Sequence, residues 1–102
     1  MKKKYNKLVR DKIITIIQTH GGDAKFHIAS NTEYWQKLKE KLVEEVQEFS
    51  ESESIEELAD ILEVIGAISE YKKFHKKKIL EVKNKKAEER GKFKKRIILE
   101  ES

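Results

Sequence analysis

Two consecutive stretches, 30–50 and 54–70, each open on Ser-x-x-Glu and then place apolar residues three and four apart. Ser30-Asn31-Thr32-Glu33 and Ser54-Ile55-Glu56-Glu57 have the form of capping boxes, in which the serine oxygen takes the N–H three residues on. Trp35, Leu38, Leu42, Val46 and Phe49 follow the first, and Leu58, Ile61, Leu62, Ile65 and Ile68 the second. Residues three or four apart share a helix face, so each stretch predicts an amphipathic helix. Only the short polar break Ser50–Ser54 separates them, which suits two helices packed antiparallel. Val64 and Ala67 widen the second stripe beyond one face and imply burial on two sides. A partner subunit can supply the second contact, so a homodimer or homotetramer is expected.

The rest of the 102-residue chain agrees with an all-α fold in one domain. There is no Pro and only four Gly to punctuate it, and 41% of residues are charged, as on helices with solvated outer faces. Val9, Ile13, Ile16 and Ile17 predict a short helix from about Val9 to Gln18, stopped by Gly21-Gly22. A turn is expected between Tyr71 and His75, then a fourth helix from Lys76 to Arg90 closed by Gly91. Residues 25–29 and 94–99 are read as a small strand pair beside this bundle of about four helices, which oligomerisation completes. The absence of Cys excludes disulfides and thiolate metal sites. Neither a signal-peptide apolar region nor a membrane-spanning run is present, so a cytoplasmic protein with no membrane partner is expected.

A net charge of +4 hides a strong segregation. Residues 33–70 hold 12 acids against 3 bases, whereas residues 72–96 hold 13 bases against 3 acids. Residues 1–32 add 7 bases against 2 acids. Within the acidic centre, Glu45/Glu48 and Glu57/Asp60 are spaced i, i+3, so each pair directs two carboxylates the same way. Glu45 falls within or beside the apolar sector of its helix, and Glu57 lies close in angle to Ile61 and Val64. Carboxylates on a core-facing stripe need a partner, because burying a bare charge is costly. Four converging carboxylates suit hard divalent cations, Mg²⁺ first and Mn²⁺ as an alternative. Salt bridges to Lys, Arg or His of the basic flanks are the competing way to neutralise them.

Glu44-Glu45-x-x-Glu48 followed by Glu57-x-x-Asp60 resembles the signature of the MazG-like all-α nucleoside triphosphate pyrophosphohydrolases. The flanks narrow the resemblance to the phosphoribosyl-ATP pyrophosphohydrolase-like branch. Tyr5-Asn6-Lys7-Leu8-Val9-Arg10-Asp11-Lys12-Ile13 is similar at the start, and Lys86-Ala87-Glu88-Glu89-Arg90-Gly91-Lys92-Phe93 with Lys95-Arg96-Ile97 at the end. Ile14 stands where that pattern has Pro, and Lys92 where it has a second Gly. The resemblance implies an oligomeric helical bundle that uses Mg²⁺ to cleave a nucleoside triphosphate into monophosphate and pyrophosphate, as in nucleotide-pool house-cleaning. It makes Glu45, Glu48, Glu57 and Asp60 the catalytic metal ligands, with Glu44 auxiliary. A carboxylate or a metal-activated water would be the base.

Lys7, Arg10, Lys86, Arg90, Lys95 and Arg96 fall inside the family-like blocks and, with Asn84 near the end of the fourth helix, are the candidate phosphate-binding residues. Lys72, Lys73 and Lys76–Lys78 fall outside them and read as solvated charge. His20, His27 and His75 lack metal-type spacing. The alternative function is a non-catalytic basic helical module, regulatory or nucleic-acid-binding. Sparse aromatics in the basic stretches and the repulsion of phosphate by the central acids make a nucleic-acid partner the weaker reading.

Overall fold

The computed structural model describes residues 3–102, which form four helices and, among the described residues, no strand. They are α1 (Ile13–Thr19), α2 (Asn31–Ser52), α3 (Ile55–Lys72) and α4 (Lys76–Arg90). The chain is all-α, as its periodicity requires. α2 and α3 pack along their length as an antiparallel hairpin, the main tertiary contact among the described residues.

Both helices start where the serine signals place them. Ser30 Oγ accepts from the Glu33 N–H and Ser54 Oγ from the Glu57 N–H, each at 3.3 Å. Neither box is reciprocal. The Glu33 carboxylate lies 2.9 Å from His27 Nε2, and that of Glu57 enters the hairpin. The helix ends were harder to read. α2 and α3 close on Glu53 (φ 52°) and Lys73 (φ 59°), left-handed caps made without the glycine that usually marks one. α2 therefore runs to Ser52 rather than about Ser50, and α3 through Tyr71 to Lys72.

The interior of the hairpin is small. Leu38 is 1% exposed and Val64 8%, and half-buried Leu42, Phe49, Ile61 and Ile68 surround them. At the open end the Trp35 and Tyr71 rings stack, with centroids 5.2 Å apart and planes at 5°. Tyr34 meets Tyr71 edge-on, and the Tyr71 hydroxyl donates to the Asn31 carbonyl at 3.3 Å. The inner face of α2 differs from the apolar stripe in one respect. Glu45 is 6% exposed, whereas its apolar neighbour Val46 is turned outward.

Two sequence expectations are corrected. The first helix begins at Ile13 rather than Val9, because residues 3–12 run without regular structure across the hairpin, tied by Lys37 Nζ donating to the Asn6 carbonyl at 2.8 Å. Residues 25–29 and 94–99 form no strand pair, and Ile28, Ile97, Ile98 and Leu99 are exposed. A two-stranded ribbon with no third strand or packed face has marginal stability in water. The fourth helix spans Lys76–Arg90 as expected and ends at Gly91, whose φ of 84° suits glycine.

The single chain does not close its core. Its radius of gyration is 18.0 Å, against about 13 Å for a compact domain of this length. Its accessible surface is 9994 Å², against roughly 6000 Å² for a folded monomer of 12.0 kDa. Leu38 is the most deeply buried side chain and touches both helices' seam. Leu38→Ala should therefore cost about 2–5 kcal/mol in denaturant unfolding, while Val46→Ala on the exposed face should cost much less.

Candidate functional site

The connection Glu53–Ser54 folds α3 back so that the last turns of α2 face the first turns of α3. This sets Glu44, Glu45 and Glu48 against Glu57 and Asp60. Carboxylate oxygens of Glu44, Glu45 and Glu48 lie within 4.8 Å of one another, and so do those of Glu45, Glu57 and Asp60. Glu45 belongs to both groups and is the most buried of the five. Its Oε1 lies 3.2 Å from Lys41 Nζ, but its Oε2 is buried with no hydrogen-bond partner. Glu57 Oε2 is buried and unpartnered too. Buried polar atoms are normally paired, and an unpaired carboxylate oxygen costs free energy. With two such atoms in one acidic seam, the two acid groups could hold a metal ion.

Part of the neutralising charge comes from the N-terminal segment. Lys7 Nζ lies 2.7 Å from Glu44 Oε1, and Arg10 Nη2 lies 2.7 Å from Asp60 Oδ1. Lys41 adds a longer contact to Glu44 at 3.6 Å. Salt bridges thus neutralise the outer acids in part, while the inner oxygens stay unpaired. The hydrogen bond from Lys7 pulls the Glu44 carboxyl below its ordinary range and raises Lys7 in turn. Glu48 is pushed the other way, by loss of hydration and then by the charge of Glu45, with Glu57 and Glu44 adding to it. Beside Glu44 a cleft of about 220 Å³ opens between the N-terminal segment and α2, lined by Tyr5, Lys7, Lys37 and Lys41 among others.

The structure thus gathers all five predicted acids and brings Lys7 and Arg10 to them. It does not bring the remaining predicted phosphate-binding residues there. Asn84, Lys86 and Arg90 are exposed on α4, and Lys95 and Arg96 follow it, with no hydrogen bond or ion pair to the cluster among the described residues. Lys41 was missed as a site residue. Its i, i+4 spacing to Glu45 was the readable signal.

No family model, curated protein or solved structure matches this chain. The geometry of the hairpin therefore carries the functional argument.

The opposed shifts give the cluster a defined pH response. Glu44, lowered in the fold, stabilises it above the ordinary carboxylate range, and that stability is lost as pH falls through its folded value. Glu48, raised in the fold, favours folding most below the ordinary glutamate value, and that contribution is lost as pH rises through its folded value. With divalent ions chelated, Glu48→Gln should raise Tm at neutral pH, by a small amount because Glu48 is largely solvated. The gain should vanish as pH falls below about 4. Thermal scans of both proteins from pH 3 to 8 check this.

Proposed function

We propose that this chain is a Mg²⁺-dependent nucleoside triphosphate pyrophosphohydrolase of the MazG-like kind, releasing nucleoside monophosphate and pyrophosphate. The observation that carries the reading is the pair of buried, unpartnered carboxylate oxygens on Glu45 and Glu57 within a five-acid seam. The donor set fits the ion: Mg²⁺ takes hard oxygen ligands, a few of them carboxylates, and keeps positions for water and substrate phosphates. Glu45, Glu48, Glu57 and Asp60 would hold it, with Glu44 auxiliary, and Mn²⁺ would serve in its place. Bound there, the ion would neutralise phosphate charge and lower the pKa of the attacking water.

The chain's own residues supply the rest. Lys7 and Arg10 stand where they can hold phosphate oxygens, Arg10 with a fork matched to them. Arg90, Lys86, Asn84, Lys95 and Arg96 are further phosphate contacts in this reading, and assembly is the route by which one copy's α4 can approach another's cluster. Val43 and Val46 on α2, with Leu58, Leu62 and Ile65 on α3, leave an exposed apolar face suited to burial in a homodimer or homotetramer. Clearing unwanted nucleotides from the pool is the role this reaction would serve in the cytoplasm. Among the described residues no helix is long and apolar enough to cross a membrane.

The exposed basic surface of α4, where no residue is buried, favours the second reading, a nucleic-acid-binding module. The two separate by assay. Pyrophosphate release from a panel of nucleoside triphosphates with Mg²⁺ supports the enzyme, whereas salt-sensitive polynucleotide binding without metal and without turnover supports the module.

Asp60→Asn should lower kcat at least about 100-fold, since even outer-shell changes at metal sites cost 10–100-fold. Near wild-type turnover would place the active site elsewhere. Mg²⁺ at about a hundred times its Kd should stabilise the fold by about 2.7 kcal/mol. That rise in Tm should be largely lost in Glu45→Gln. Light scattering at micromolar concentration should show a dimer or tetramer, and a monomer would count against burial of the apolar face.

A further inference from the structure

The N-terminal segment gives one cation to each half of the acid cluster. Lys7 closes on Glu44, in the group that also holds Glu45 and Glu48, and Arg10 closes on Asp60, in the group that holds Glu45 and Glu57. Both contacts are 2.7 Å, the distance of charge-assisted hydrogen bonds. The segment itself has no helix or strand through residues 3–12, and Lys7 and Arg10 keep half-exposed side chains. It is tethered to α2 by the bond from Lys37 Nζ to the Asn6 carbonyl. Two cations on an irregular, solvent-facing strip can leave their partners without unfolding the hairpin. Glu45, by contrast, is nine-tenths buried and keeps an unpartnered oxygen aimed into the seam.

We infer that Lys7 and Arg10 are exchangeable counterions, which occupy the outer carboxylates in the absence of a divalent cation and transfer to phosphate oxygens when a metal–phosphoanhydride binds. The inference rests on the metal-site reading above and adds a direction to it. One Glu44 oxygen and one Asp60 oxygen are held by ammonium and guanidinium, so a divalent cation entering alone must displace them or do without those ligands. A cation arriving with pyrophosphate brings acceptors that receive the two displaced groups. The bare ion is therefore disfavoured relative to the ion–phosphoanhydride pair, and the site selects the complex over the free metal.

The opposite signs of these two effects make the test. Mn²⁺ binding to the full chain is measured by electron paramagnetic resonance, alone and with excess pyrophosphate, for wild type and for Lys7→Met/Arg10→Met. Melting curves confirm folding, and Lys7→Arg/Arg10→Lys keeps both charges as the control. Half-exposed ion pairs are weak, so the Met variant should bind bare Mn²⁺ only about two- to fivefold more tightly per side chain removed. It should bind Mn²⁺ with pyrophosphate about tenfold more weakly than wild type, while the charge-keeping variant, which retains both cations but not the Arg10 fork, should lose less of that binding than the Met variant. Wild-type Mn²⁺ binding together with equal or weaker binding of the bare ion by the Met variant would overturn the counterion role and leave the metal site standing. Failure of wild type to bind Mn²⁺ even at millimolar concentration would overturn the metal-site reading itself, and the exchange with it.

Discussion

Packing α2 on α3 places carboxylates on the same seam that holds the apolar core, and most features of the molecule answer to that conflict. Leu38 and Val64 drive the two helices together, and Glu45 and Glu57 are carried inward with them. The hydrophobic contribution of so few buried side chains is a few kcal/mol. Unpaired carboxylate oxygens in the seam oppose it with terms of the same order. A hairpin selected for stability alone would carry Leu or Ile at those positions, since apolar replacement of buried charge is often neutral or stabilising. Glu45 and Glu57 therefore oppose the stability of the hairpin that buries them.

The protein meets part of the conflict locally. Lys41 reaches Glu45 from one turn earlier on the same helix, and Lys7 and Arg10 reach Glu44 and Asp60 from a segment remote in sequence. These contacts are solvated at their outer ends, so each contributes little by itself. Their value lies in position, because they leave the innermost oxygens unpaired and concentrate positive charge at the rim. The metal-bearing phosphoanhydride proposed above would meet both halves of that pattern at once.

The incomplete core has a second consequence. The hairpin buries one face of α3, while Leu58, Leu62 and Ile65 lie open on another, and α1 and α4 do not cover them. An accessible surface of 9994 Å² on a 12.0 kDa chain leaves much apolar area for association. The aromatic stack of Trp35 on Tyr71 holds the end of the hairpin remote from the acids, and the two-residue connection holds the acidic end.

The elements of this fold whose determinants are local were legible in the sequence. Serine caps at Ser30 and Ser54, the i, i+3 and i, i+4 apolar spacing, and Gly91 marked the starts of α2 and α3 and the C-terminal end of α4, because helix initiation and amphipathicity are set by side chains a turn apart. The i, i+3 spacing of the acids likewise fixed which carboxylates share a face. Where α2 and α3 stop was legible only to within about two residues, since Glu53 and Lys73 adopt left-handed caps that no residue type announced. Only the tertiary structure decided that Val9 leaves the first helix and that 25–29 and 94–99 stay unpaired, because those outcomes depend on partners distant in the chain. Spacing had set Glu45 within or beside the apolar sector, but only the way α2 rolls against α3 decided that Glu45 is buried while Val46, placed on the same stripe, is exposed. The docking of Lys7 on Glu44 and of Arg10 on Asp60, 37 and 50 residues away, belongs to the same class: charge composition supplied the attraction, and the folded hairpin supplied the address.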